Sequence, residues 1–126
     1  MKKLAIPAFL LICFSFILLR VSAQNPTMNV EGTASSIVSK LDKSLILTDQ
    51  QKSRLLSIVT NYLLQKVNMM SLQRTNEKAY KTKLNSMQNG LLAKLKPLLN
   101  LTQYTEFMHL KPPTEDATNV LTQLYY

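Results

Sequence analysis

The sequence predicts an all-α protein built as a thin, extended helical hairpin with short flanking helices. Three observations predict it. Apolar residues recur at steps of three and four from residue 35 onward. Two helix-start signals of the same arrangement stand 52 residues apart, at Thr48 and Asn100. No stretch alternates apolar and polar residues as a half-buried strand would.

The first segment reads as an address rather than as part of the fold. Of the 126 residues, 46% are hydrophobic, but they are bunched at the front. Residues 1–23 combine Lys2 and Lys3, an apolar run from Leu4 to Leu19, and the small-residue site Val21-Ser22-Ala23. That is the layout of a cleaved signal peptide, with the mature chain starting at Gln24. The run is short for a membrane anchor, which needs about 20 apolar residues. Cys13, the single cysteine, falls within it and lacks the small preceding residues of a lipoprotein site. Without the leader the chain is about 40% apolar, with Phe107 its one Phe and no Trp. A secreted domain this lean normally carries disulfides; their absence favours a bacterial periplasm. It also excludes a disulfide scaffold, a cysteine metal site and a thiol enzyme.

Residues 24–34, with Pro26 and Gly32, read as a flexible lead-in. From residue 35 a first helix is expected on Ile37, Leu41 and Leu45. A longer one is expected over 49–73, with Leu55, Ile58, Val59, Tyr62 and Met69 in one stripe. Leu56, Leu63, Val67 and Met70 form a second stripe beside it, more than one neighbouring helix would cover. A third helix, 76–96, carries Tyr80, Leu84, Met87, Leu91 and Leu95; Pro97 is expected to stop it, and Gly90 marks a candidate kink. A short fourth helix runs from Leu101 to before Pro112-Pro113. Residues 112–126 form a tail in which Ala117, Val120, Leu121 and Leu124 fit one more amphipathic pair of turns.

The capping chemistry is the most specific local signal. In Leu47-Thr48-Asp49-Gln50-Gln51, the Thr48 hydroxyl can accept from the Gln51 N–H while the Gln51 side chain reaches back to the Thr48 N–H. Leu99-Asn100-Leu101-Thr102-Gln103 repeats the arrangement, with Asn100 as cap and Gln103 as its partner. This doubled pattern, separated by a long basic helical hairpin, resembles the LTxxQ motif of the Spy/CpxP family of periplasmic stress proteins. Leu47, Thr48 and Gln51 match it fully; Leu99, Asn100 and Gln103 match with Asn for Thr. The similarity spans residues 35–111. It implies a curved all-helical dimer that lacks a globular core and holds unfolded proteins on a basic concave face without ATP. It also implies, as an alternative, a regulatory adaptor docking on an envelope-stress sensor kinase.

The charges agree with that expectation. The precursor carries +8, and residues 52–96 hold nine basic residues against Glu77 alone. These are Lys52, Arg54, Lys66, Arg74, Lys78, Lys81, Lys83, Lys94 and Lys96, the expected basic surface for clients. Leu56, Leu63, Val67, Met69, Met70 and Met87 are its expected apolar counterpart, for clients or for a dimer partner. Nucleic acid is not expected, because aromatics do not interleave with the cations and an exported protein rarely meets it. Basic amphipathic helices also suit an anionic membrane surface, but the Leu positions are needed for packing. No catalytic triad, phosphate loop or carboxylate pair is present, and His109 stands without cysteine or clustered carboxylates. No enzyme activity, metal or cofactor is expected, and the zinc binding of some relatives does not carry over.

Overall fold

The computed structural model describes residues 29–126. The expected signal peptide, with Cys13, and residues 24–28 of the lead-in lie outside the described residues. The described chain is all-α, without a strand. Its order is α1 (Val30–Leu45), α2 (Asp49–Asn68), α3 (Leu72–Thr75), α4 (Glu77–Leu98), α5 (Leu101–His109) and α6 (Thr122–Tyr125).

α1 begins at Val30 rather than at residue 35, so 29–34 are not a loose lead-in. The Asn29 side chain caps this start, accepting from the Gly32 N–H at 3.0 Å, and Glu31 favours the positive end of the helix dipole. Ala34, Ile37, Val38, Leu41 and Leu45 then make one buried stripe at helical spacing. The helix ends at Ile46 in the left-handed region, φ 54° and ψ 69°. A β-branched residue is strained there, and Ile46 is also 82% exposed, so nothing packs on it in return. What holds the turn is around it: the Ile46 N–H donates to the Asp42 carbonyl at 2.8 Å, and the Asp42 carboxylate accepts from the Leu47 N–H at 3.1 Å.

The expected 49–73 helix is divided. α2 stops at Asn68, a turn passes through Met69–Ser71, and the single turn of α3 follows. Met69, in that turn, is buried. Pro97 does not stop α4 at residue 96: the helix includes it and ends one residue later, at Leu98. Gly90 does not break it either; α4 passes through it without interruption. α5 matches expectation. In the tail only Thr122–Tyr125 closes a helical turn, with Leu121 and Leu124 buried and Ala117 exposed.

The packing closes a ring. α1 lies against α2, α2 against α4, α4 against α5, and α5 back against α1, with α6 resting on α2. Inside it Ile37, Leu41, Leu55, Leu63, Leu95 and Phe107 are all but fully buried, in one cluster with Leu121 and Leu124. Apolar side chains from α1, the α2–α4 hairpin, α5 and the tail therefore gather in one cluster. The physical reason lies at the two ends of the chain. α1 and the tail supply the neighbours that a two-helix hairpin lacks.

Candidate binding surface

The two capping signals are one structure. Thr48 and Gln51 form a complete capping box at the start of α2, and Asn100 and Gln103 form another at the start of α5. The glutamines then bond each other. Gln51 Nε2 donates to Gln103 Oε1 at 2.8 Å, and Gln103 Nε2 donates to Gln51 Oε1 at 3.1 Å. Each Oε1 also accepts from its own cap, Thr48 N–H and Asn100 N–H, both at 3.0 Å. Each Nε2 finally reaches the carbonyl preceding the other motif. Gln51 donates to Leu98 at 3.1 Å, and Gln103 to Ile46 at 3.4 Å and Leu45 at 3.3 Å. Leu47 and Leu99 bury themselves on either side. The arrangement has local two-fold symmetry and fixes both helix starts, hence the hairpin, as a unit.

On that frame α2 and α4 present a continuous groove. At one end it is lined by Thr48, Gln50, Arg54, Pro97 and Leu98. Ile58 and Lys94 carry it into a middle section lined by Gln65, Ser86, Met87 and Gly90. Gln65, Ser86 and Met87 continue to the far end beside Asn68, Leu72 and Lys83. Gly90 faces open space in the middle section, where a Cβ would meet nothing within 4 Å. Three cations, Arg54, Lys83 and Lys94, line the groove, and no carboxylate does. None of the three forms a salt bridge among the described residues.

The other expected basic residues divide. Arg74 and Lys78 are exposed beside the α3–α4 corner. Lys81 pairs with Glu77 at 3.4 Å, and Lys96 lies over the Tyr104 ring at 5.8 Å. Lys52 bridges Asp49 at 3.2 Å and Asp42 at 3.7 Å, and its bond to Asp49 raises its pKa. Lys66 is the correction. It is buried, 9% exposed, its Nζ donating to the Gln123 carbonyl at 2.9 Å. Burial lowers its pKa against a smaller opposing pull from Glu115. It cannot serve as a surface cation.

The apolar set divides as well. Leu56 and Met70 are exposed, at 41% and 49%. Val67 and Met87 are half-buried, and Met87 lines the groove. Leu63 is buried inside the chain and is not available to a client or a partner, a second correction; Met69 is also buried but lines the far end of the groove. The tail packs on α2 at Lys66, while Leu56 and Met70 of the second stripe stay open. Groove residues not anticipated from the sequence include Gln50, Gln65, Asn68, Ser86, Gly90 and Leu98. The small pair Ser86 and Gly90, four apart on one helix face, was the available signal.

Tyr62 lies under the groove, 4% exposed, and its hydroxyl has no hydrogen-bond partner. Gln88 beside it stays outside bonding geometry and spends its Nε2 on the Tyr125 carbonyl at 3.0 Å. Burial pushes the Tyr62 phenol up to about 12. Among the described residues no three His, Cys, Asp or Glu side chains group to hold a metal ion, and His109 is exposed at the end of α5. No helix among them is long and apolar enough to cross a membrane. No family model, no curated protein and no solved structure matches the chain.

Proposed function

We propose that this is an exported, ATP-independent chaperone-like protein of the periplasm, holding unfolded proteins weakly on the α2–α4 face. One observation carries the reading: the groove pairs Arg54, Lys83 and Lys94 with Ile58, Met87 and Leu98 and contains no acid. Cations of one sign draw acidic or polar-rich unfolded segments at long range. The apolar and methionine side chains then supply short-range contact that adapts to varied sequences. Leu56, Leu64 and Met70 extend the apolar area outside the groove. The reading includes a homodimer, with Leu56 and Met70 as contact residues, and involves no catalysis and no cofactor. Its localisation rests on the leader-like residues 1–23.

The test is light scattering from a chemically denatured client diluted into buffer of low salt without ATP. Sub-stoichiometric to equimolar protein is expected to suppress aggregation, and suppression is expected to weaken as salt shortens the screening length to about 3 Å near 1 M. Reversing the groove charge with Arg54→Glu and Lys94→Glu is expected to reduce suppression several-fold. Both residues are exposed and free of salt bridges, so stability should change by no more than about 0.5 kcal/mol. Undiminished suppression by the folded double variant would refute the assignment to this groove. Capture of an acidic sensor domain with no suppression would favour a regulatory adaptor instead.

A further inference from the structure

The tail is bound to the rest of the chain in an unusual way. Its backbone is gripped by side chains: Lys66 Nζ donates to the Gln123 carbonyl at 2.9 Å, and Gln88 Nε2 donates to the Tyr125 carbonyl at 3.0 Å. Its own side chains fill apolar space. Leu121 and Leu124 are each 2% exposed, and the Tyr125 ring stacks on Phe107 with centroids 5.0 Å apart. Leu91, Leu92 and Met108 line the same seat. The segment 117–126 carries no charged side chain, and the ammonium that grips its backbone takes a carbonyl rather than a carboxylate; Lys40 meets only the Asn119 side-chain oxygen, at 3.0 Å, and Lys111 the Tyr126 ring. Main-chain carbonyls are common to every polypeptide, so this grip selects apolar and aromatic spacing and not a particular sequence. The link to α5 is slight. Residues 113–118 are exposed, and the Asp116 carboxylate there bonds only its near neighbour Thr118.

We infer that the seat formed by Lys66, Gln88, Leu91 and Phe107 is a second peptide-binding site, filled in cis by the chain's own C-terminal segment. In trans it takes an uncharged segment of an unfolded polypeptide with two aliphatic residues and a following aromatic at the spacing of Leu121, Leu124 and Tyr125. The tail then acts as a gate. A tethered segment competes at an effective concentration of millimolar order, so weak or charged segments are turned away. Its use in holding clients rests on the function proposed above, but peptide capture itself does not, and none of its residues except Leu91 lines the groove.

The test uses the full chain and a fluorescent peptide of residues 118–126, read by anisotropy. Leu121→Ala with Leu124→Ala loosens the tail and is expected to bind the peptide at least ten-fold more tightly than the unaltered chain does. A control peptide with its Leu and Tyr residues replaced by Ser is expected not to bind. A double variant that keeps its helical circular dichroism yet binds the peptide no better than the unaltered chain overturns the inference, and so does equal binding of the control. If the double variant loses its helices, hydrogen exchange of the unaltered chain decides. Millimolar unlabelled peptide is expected to speed exchange at residues 122–126 and leave 55–66 unchanged; no change there overturns the inference. Concentration-dependent dimers formed by exchange of tails would assign the seat to a second copy instead and overturn the trans-peptide reading. The groove variants are assayed by aggregation and this seat by peptide binding, so each idea can fail without the other.

Discussion

Replacing Gln103 with alanine tests the central joint most directly. Gln103 is 8% exposed, and its amide serves the Asn100 N–H, the Leu45 and Ile46 carbonyls and the Gln51 amide. Loss of a helix cap costs about 1 kcal/mol. Leaving buried partners such as the Leu45 carbonyl without a donor costs about 1–3 kcal/mol more. Gln103→Ala is therefore expected to cost about 3 kcal/mol. Gln51 is only half-buried, so water can replace part of what it loses, and Gln51→Ala is expected to cost about 2 kcal/mol. Because the two amides bond each other, the double variant should cost about 3 rather than about 5 kcal/mol, a coupling of about 2 kcal/mol. Urea unfolding followed by far-ultraviolet circular dichroism measures all four corners of the cycle. Strict additivity, within about 0.5 kcal/mol, would refute the joint as a working unit. Gln103→Glu adds a pH signature. The carboxylate still accepts from Asn100 and Gln51 but turns an anionic oxygen toward the Leu45 and Ile46 carbonyls. Its folded pKa is therefore raised above the unfolded value of about 4.3, so this variant loses stability as pH rises through 4.3 and regains it on acidification.

Two further outcomes follow from strained or orphaned groups. Ile46→Gly removes a left-handed β-branched residue that packs on nothing, and is expected to raise stability by about 1 kcal/mol after the extra unfolded-state entropy of glycine is counted; a lower urea midpoint would contradict it. Tyr62→Phe removes an unpartnered buried hydroxyl and is expected to be neutral or stabilising by about 1 kcal/mol at neutral pH. With a folded pKa of about 12 against 10 unfolded, Tyr62 lets stability fall as pH rises above 10, by about 2 kcal/mol at pH 12. The Phe variant should show a smaller alkaline loss in pH-dependent melting, and an unchanged loss would refute the burial of that phenol.

The sequence disclosed what depends on neighbours along the chain. Both capping boxes, the stripes of α1 and α2, and α5 with its stop before Pro112 follow from spacing and local hydrogen-bonding chemistry. Contacts across the fold were hidden. Nothing in Gln51 or Gln103 taken singly says that their amides meet, although the repeated motif invited the question. Lys66 was read as a surface cation because its burial depends on a tail 57 residues away. Leu63 was read as open for the same kind of reason: its burial depends on packing across the fold. The start of α1 was missed because Gly32 reads as a breaker, while the Asn29 cap that offsets it gives only a weak signal. The groove was partly legible, since its cations were named, but which of the nine face it depends on the pairing of α2 with α4.

The paired glutamines also shape the order in which this chain assembles. Each capping box can close locally within the first turn of its helix, but the bond between them spans 52 residues. Closing so long a loop has an entropic cost that must be met before the amide pair returns anything. The joint is accordingly expected to form after the transition state, so that disrupting it speeds unfolding and leaves the folding rate nearly unchanged. A latch of this kind lengthens the life of the folded state without slowing its arrival.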